Sequence, residues 1–318
     1  MAEARQQKAR TNHFCIEKII IYLVFLYVYT NQIAMDFKKN NYDFHPPSKS
    51  FAENFIKPFK LYFDPQFYGL ENLDASKPAL YVSNHTILGV LDGYPFAIEL
   101  YLQKGIILRA LADSMHYQIP LWRDLITERL GVVEASRENC AALMKRGDNL
   151  VVFPGGTREI CKRKGEEYVL KWSDRTGFVK MALQHGYDII PVAAVGAEEA
   201  FTVVKDANDF FHKNIIGKFL SFTGLAETIF KSGDRFPPTV KGLGNTILPR
   251  PEKLYFSFGK RISTEKFKGK ESDPEVLNQI KSKVEVQLLK QFKQLFKIRD
   301  KDKDINPLRK LLTKKEPS

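Results

Sequence analysis

The sequence predicts an α/β fold, a mainly parallel central sheet flanked by helices, with a membrane-anchoring helical segment at its amino terminus. Three observations predict it. Apolar runs of strand length recur at PALYVS (78–83), GIILRAL (105–111), GVVEA (131–135), NLVVFP (149–154), DIIPVAAV (188–195) and KLYFSFG (253–259). Helix-like stretches separate the earlier runs, near 92–103, 119–130, 137–147 and 175–186. That alternation is the signature of βαβ units, whose crossovers place successive strands parallel. The third observation is size: 318 residues, 44% of them hydrophobic, are enough to bury a sizeable core.

At the amino terminus, Arg5, Lys8 and Arg10 precede the apolar run IIIYLVFLYVYT (19–30). No small-x-small cleavage site follows, so the run reads as an uncleaved anchor, either a marginal span or a re-entrant helix. It is shorter than the ~20 residues that cross a bilayer comfortably. A buried amino-terminal helix of a soluble domain is the plainer alternative. Phe51, Phe55, Phe59, Phe63 and Phe67 then recur every four residues. Pro58 and Pro65 argue against one continuous helix, so short aromatic helices are expected, either lying in a membrane interface or packed in the core. The boundaries that follow are an anchor with interfacial helices over 1–69, a main domain over 70–298 and a charged tail over 299–318.

In parallel sheets, ligands sit at the carboxyl ends of the strands. His85 follows the first run, Arg137 the third, and Pro154-Gly155-Gly156 the fourth, so the chemistry-bearing residues collect at one sheet edge. Farther on, Phe210, Phe211, Ile215, Phe219, Phe222 and Phe230 fall at helical spacing within 207–230. Such a face could line an acyl-chain tunnel, meet lipid or pack as a plain core helix. Residues 231–251 hold four prolines and three glycines and read as a long loop. Residues 274–298 form an amphipathic helix opened by Asp273-Pro274, and the tail from Arg299 reads as disordered.

The net charge of +12 favours an anionic partner. No zinc-finger, helix-turn-helix or RNP pattern is present, which argues against nucleic acid. Cys15, Cys140 and Cys161 are an odd count without CxxC spacing, consistent with a reducing compartment and against thiolate metal binding. A GxSxG elbow and a P-loop are both absent.

A neutral imidazole over a substrate hydroxyl can remove its proton as the oxygen attacks a carbonyl, provided an acidic partner fixes its tautomer. In SNHTILGVLDGYP (83–95), His85 and Asp92 are seven apart. On one helix they would be separated by roughly 10 Å along the axis. A direct hydrogen bond therefore requires His85 to lie in a turn before the helix, with Ile87 to Gly89 looping back. FPGGTRE (153–159) adds two glycines after a buried strand, whose N–H groups can face an anion or a developing oxyanion. Arg158 and Arg137 are candidates for holding phosphates.

Taken together, NH…D (84–92), GVVEASR (131–137), FPGGTRE (153–159) and IIPVAAVGAEE (189–199) resemble the four-block pattern of glycerolipid acyltransferases, the lysophospholipid-acyltransferase-like superfamily. More narrowly, PGGTRE followed by RTGFVKMALQHGYDIIPVAAVGAEEAF (175–201) resembles the second diacylglycerol acyltransferase family and its monoacylglycerol acyltransferase and phytyl ester synthase relatives. The likeness covers about residues 70–265. It implies that His85 is a general base activating an acceptor hydroxyl for attack on an acyl-CoA thioester, with Asp92 as its orienter. Asn84, Arg137, Pro154, Gly155, Gly156, Thr157, Arg158 and Glu159 would form the substrate-binding blocks, and Pro191 matches the last. Acyl-CoA would enter as co-substrate, with no cofactor, metal or covalent enzyme intermediate. Glycine replaces the glutamate that phosphate-acceptor enzymes carry in the third block, which favours a neutral alcohol such as diacylglycerol or monoacylglycerol over a lysophospholipid or acylglycerol-phosphate acceptor.

Two departures stand out. Six residues separate His85 from Asp92 where the broad family has four, and position 90 is Val90. Either the loop is longer and Asp92 still serves, or the histidine works without it, or the chain is a non-catalytic lipid-binding member of the fold. The resemblance further implies a membrane enzyme of the endoplasmic reticulum or lipid droplet making triacylglycerol or a related ester. Asn84-His85-Thr86 is formally a glycosylation sequon, so the catalytic side is expected to face the cytosol.

Overall fold

The structure, a computed structural model, describes residues 42–118, 122–244, 246–303, 309, 312 and 313. The apolar run 19–30 lies outside them, and no described helix is long and apolar enough to cross a membrane. Nine strands are described: β1 (Gln66–Tyr68), β2 (Ala79–Ser83), β3 (Leu108–Ala112), β4 (Val133–Glu134), β5 (Asn149–Val152), β6 (Asp188–Val195), β7 (Thr202–Lys205), β8 (Thr239–Lys241) and β9 (Tyr255–Phe258). Helices join them as α1 (Lys49–Phe63), α2 (Gly93–Lys104), α3 (Arg137–Lys145), α4 (Gly156–Ile160), α5 (Gly177–His185), α6 (Ala207–Lys213), α7 (Ile215–Phe222), α8 (Leu225–Phe230) and α9 (Pro274–Lys301).

Seven strands form one sheet in the order β1-β9-β6-β2-β5-β3-β4. From β6 through β4 all neighbours run parallel, whereas β9 meets β6 antiparallel. This is the mainly parallel α/β sheet that the alternating runs predict. β2 lies at its centre, buried along its whole length. Side chains alternate between faces, as a pleated strand requires. Leu80 and Val82 join Leu143, Val179, Ile280, Val284 and Leu288 of α3, α5 and α9 on one side. Ala79 and Tyr81 join Phe96 and Leu100 of α2 and Phe63 of α1 on the other. Each buried Leu, Val, Ile or Phe side chain among them stabilises the fold by roughly 1.5–3 kcal/mol through apolar burial. The helix-like stretch at 119–130 is helical over Trp122–Arg129, where an α-helical turn runs on into a π-helical one.

Four expectations change. The first concerns Pro58, which lies inside an unbroken fifteen-residue α1. Proline there deprives the Asn54 carbonyl of its helical partner, but Asn54 and Pro58 both lie on the exposed face, where water can replace the lost bond. Second, residues 207–230 form three short helices, broken where Asn214 caps α7 and Gly224 adopts a left-handed conformation. Third, β8 arises within the expected loop 231–251 and pairs antiparallel with β7, a ribbon outside the main sheet. Fourth, α9 continues to Lys301 because its end has partners. Arg299 pairs with Glu199 at 2.5 Å, and Asp302 meets Lys253 at 2.8 Å and the Tyr255 hydroxyl at 2.9 Å. At the other end, Asp273 Oδ1 accepts from Glu275 N, and Pro274 opens the first turn.

Candidate active site

The neighbours β5, β2 and β6 end side by side, and the chain leaving each contributes to one cluster. Beyond β2, the Asn84 amide accepts from Ala194 N at 2.9 Å and donates to Ala194 O at 3.1 Å, which ties the exit of β2 to β6. That amide is buried, so Asn84 holds the loop instead of facing the open side.

His85 comes next, with its side chain 20% exposed. The chain then makes a tight turn in which Gly89 N–H donates to Thr86 O, and both Leu88 and Gly89 take positive φ. This turn absorbs the two extra residues between His85 and Asp92. It returns the Asp92 carboxylate to 2.6 Å from His85 Nδ1. Asp92 Oδ2 also accepts from Thr86 N (2.7 Å) and Thr86 Oγ1 (3.1 Å), and Oδ1 accepts from Gly93 N at the start of α2. Burial alone would raise the Asp92 carboxyl. The His85 ring and these hydrogen bonds outweigh that effect and hold it below the ordinary carboxylate range. A carboxylate only accepts, so Nδ1 is the nitrogen that carries a proton toward it, and in the neutral ring Nε2 then keeps its lone pair. No described residue hydrogen-bonds Nε2. The Phe153 ring stacks on the imidazole at 4.2 Å and sets its plane.

Leaving β5, Pro154-Gly155-Gly156 turns into α4. Gly155 is required sterically: a Cβ there would lie 2.1 Å from Glu159 Cδ. Gly156 N–H donates to Phe153 O, so it closes the turn and is not free for an oxyanion. Arg175, from the RTGF run, donates to the carbonyls of Pro154 (2.8 Å) and Gly155 (2.7 Å). Glu159 is fully buried and accepts from His85 N (2.8 Å) and Lys171 N (3.0 Å). Burial pushes its carboxyl up against the opposing pull of Lys162.

Arg158 reaches Glu166 at 2.5 Å and Asp234 at 3.0 Å, so its charge is already matched. Burial acts to raise the Glu166 carboxyl, yet hydrogen bonds from Arg158 and Lys171 bring it down to about 2. Arg137 is exposed at the first turn of α3, where it lines a groove of about 350 Å³ with Lys180, Gln184 and His185. Three strand spacings separate β4, which precedes it, from β2, or about 14 Å across the sheet. The structure therefore brings Asn84, His85, Asp92, Pro154, Gly155, Gly156 and Glu159 together, sets Thr157 and Arg158 on α4 beside them, and leaves Arg137 apart.

Lys162 and Glu198 were not among the residues singled out from sequence. Lys162 Nζ lies 2.6 Å from His85 O and 2.5 Å from Glu198 Oε1. A lysine in ICKRKG and a glutamate in GAEE carry no distinguishing spacing. Only the folded register of α4 and the β6 exit shows their place.

With this geometry in view, comparison with known proteins is informative. The model of the diacylglycerol acyltransferase family matches residues 14–311. The chain belongs to that family. Phytyl ester synthase 2, chloroplastic, of Arabidopsis thaliana is 32% identical over 234 residues, which cover 68% of this chain and 32% of that protein. Its phytyl ester synthase 1 is 27% identical over 244 residues, 74% of this chain and 34% of the relative. The Homo sapiens DGAT1/2-independent enzyme synthesizing storage lipids is 26% identical over 191 residues, 59% of this chain and 57% of the relative. The chain thus spans about a third of the plant proteins' length and somewhat over half of the human one. The 1-acyl-sn-glycerophosphate acyltransferase PlsC of Thermotoga maritima superposes over 83% of this chain and 88% of its own, with TM-score 0.42 and 15% identity.

Proposed function

We propose that this member of the diacylglycerol acyltransferase family transfers an acyl group from acyl-CoA to the hydroxyl of a neutral lipid alcohol, with His85 as general base. The Asp92–His85 hydrogen bond carries this reading, because it fixes the tautomer and leaves Nε2 free. In the reaction, Nε2 takes the acceptor's hydroxyl proton as the oxygen bonds to the thioester carbonyl carbon. The imidazolium that forms is stabilised by Asp92. Collapse of the tetrahedral intermediate breaks the C–S bond, and the imidazolium returns the proton to the departing coenzyme A sulfur.

A neutral acceptor is supported by the chemistry around His85. Arg158 is matched by two carboxylates and Arg137 lies three strands away, so neither is a ready phosphate clamp beside Nε2. Diacylglycerol, monoacylglycerol and long-chain alcohols are the acceptor classes. The last is suggested by the names of the plant relatives.

Two exposed apolar stripes support work at a membrane surface of the endoplasmic reticulum or lipid droplet. On α1 they are Phe51 and Phe55, and on α7 Ile215, Phe219 and Phe222, the last 90% exposed. α7 sits flush on α6 through Gly217, where a Cβ would lie 2.0 Å from Phe210 O. Its apolar stripe therefore points outward, beside Lys213 and Lys218, as in a helix lying in an anionic interface.

The test is expression in membranes lacking neutral-lipid synthesis, supplied with labelled acyl-CoA and each acceptor class or a lysophospholipid. Ester formation abolished by His85→Ala supports the reading and names the acceptor. Ester formation that persists in His85→Ala refutes the base assignment, and a lysophospholipid preference refutes the neutral acceptor.

A further inference from the structure

The amides of His85 and Thr86 are consecutive backbone donors, and each gives its hydrogen to a different buried carboxylate, His85 N–H to Glu159 and Thr86 N–H to Asp92. The adjacent carbonyl, His85 O, is held by Lys162, which also pairs with Glu198. The Lys162 and Glu198 side chains are 3% and 2% exposed. Burial is the largest influence on the Glu198 carboxyl and raises it, with Lys162 pulling the other way. A buried ion pair is a weak source of net stability, since desolvation offsets most of its attraction. Apolar side chains of similar volume would fill the same space without that penalty. The charges have a different consequence: Lys162 grips the His85 carbonyl, and Glu198 holds that ammonium in place. Immediately after that grip, Leu88 is held at φ 60°, a conformation that a residue other than glycine keeps only where the surroundings over-determine it.

We infer that Lys162 and Glu198 are positioning residues that set His85 for proton transfer through its own backbone carbonyl, separately from holding the fold together. This rests on the reading of His85 as general base. Neither side chain needs to touch substrate. The pair joins three chain segments, because Lys162 follows α4, Glu198 follows β6 and the gripped loop follows β2. An error of about 1 Å in a reacting group can lower the rate on the order of 10²-fold. Loosening this grip is therefore expected to act on kcat, with KM changing far less.

The experiment compares the full-length wild type, Lys162→Met, the double variant Lys162→Met/Glu198→Leu and His85→Ala, using whichever acceptor the wild type esterifies. Lys162→Met leaves Glu198 uncompensated and can fail to fold; the double variant removes both charges and is expected to melt within a few degrees of wild type. The expected result is a double variant with kcat lowered on the order of 10²-fold and KM for both substrates within about threefold. Placed in the His85→Ala background, the same double substitution is expected to leave the residual rate unchanged. Hydrogen exchange of a peptide spanning 83–92 gives a readout independent of activity, expected to be faster in the double variant and unchanged outside 85–87 in His85→Ala. A double variant that melts like wild type, keeps kcat within threefold and keeps its slow exchange overturns the inference while leaving His85 as base. Full activity in His85→Ala overturns the base assignment, and this inference with it, whatever the exchange data show.

Discussion

Gly89 lies against the reactive edge of His85, and replacing it with alanine tests the site geometry directly. A Cβ built there would sit 2.6 Å from His85 Cε1, 3.2 Å from Nε2 and 3.0 Å from Ile160 Cγ2. Carbon atoms in ordinary contact are separated by about 3.5–4.0 Å, so relieving the closest approach requires a shift of about 1 Å. The imidazole has little room to retreat, because Phe153 stacks on one face and Asp92 holds Nδ1. A displacement of that size predicts a fall in kcat on the order of 10²-fold. Gly89 also has φ 65°, where a side chain adds roughly 1–2 kcal/mol of backbone cost, so the melting temperature should fall by a few degrees. Gly105, which ends α2, provides the control. Its φ is 69°, and nothing lies within 4 Å of a Cβ placed there. Gly105→Ala should therefore lose comparable stability with kcat unchanged. The assay is steady-state ester formation with thermal unfolding on the same preparations. Equal kcat values in the two variants, both folded, would refute the placement of Gly89 against a working imidazole.

Three further outcomes follow from the same geometry. Asp92→Asn puts an amide opposite Nδ1 and Thr86 N–H, so the ring loses its fixed tautomer; kcat should fall by about 10³-fold or more with little change in KM, measured on the purified variant. Glu198 has its carboxyl pushed up by burial from an ordinary 4.5 to about 7, with Lys162 and Glu199 as its charged neighbours. The folded state then holds this proton more tightly than the unfolded chain, so the contribution is full below 4.5 and fades as pH rises to about 7. Thermal melts from pH 4.5 to 8 should show wild type losing up to about 3 kcal/mol relative to Glu198→Gln, whose amide does not titrate. Phe219→Ser/Phe222→Ser removes two outward rings of α7, so flotation with anionic vesicles should show weaker binding of the folded variant, with a melting temperature within a few degrees of wild type.

Much of the fold could be read directly because parallel strands buried on both faces leave continuous apolar runs. β2, β5 and β6 sit within PALYVS, NLVVFP and DIIPVAAV, and the Asp273-Pro274 start of α9 obeys local capping rules. The readings that failed depended on what covers a segment. Pro58 is tolerated inside α1 because the carbonyl it leaves without a helical partner faces solvent, and periodicity does not report burial. The end of α9 depended on Glu199 and Lys253, about 100 and 50 residues earlier in the chain. At the candidate site, His85, Asp92 and Gly155 stand at recognisable motif positions. Phe153 and Glu198 lie inside the quoted blocks but act through long-range contacts that the motifs do not reveal, and Lys162 lies outside every block. Arg158 shows the converse problem, since a motif position suggested a free cation and the fold supplies it with Glu166 and Asp234.

The distant sequence blocks are physically one object, and backbone hydrogen bonding explains why they occur together. A loop that must present a histidine between three strand ends cannot satisfy its amides within a sheet or helix, and buried amides need partners. Asp92 and Glu159 are two of those partners, from different segments, and they accept from the successive amides of Thr86 and His85. Gly155 has no side chain because Glu159 occupies that volume, and Arg175 closes the same turn from the RTGF run. Three carboxylates in one buried site repel one another unless cations are present, and Lys162 supplies one at the carbonyl of His85 itself. Asp92 therefore has two roles, orienting the ring through Nδ1 and the backbone through Thr86 N–H. Glu159 has only the second, and Glu198 acts on the backbone through Lys162. On this basis, changes at Glu159 and Glu198 should lower kcat in steady-state ester formation with little change in KM, because each loosens the backbone that carries His85 and leaves the Asp92–Nδ1 bond in place.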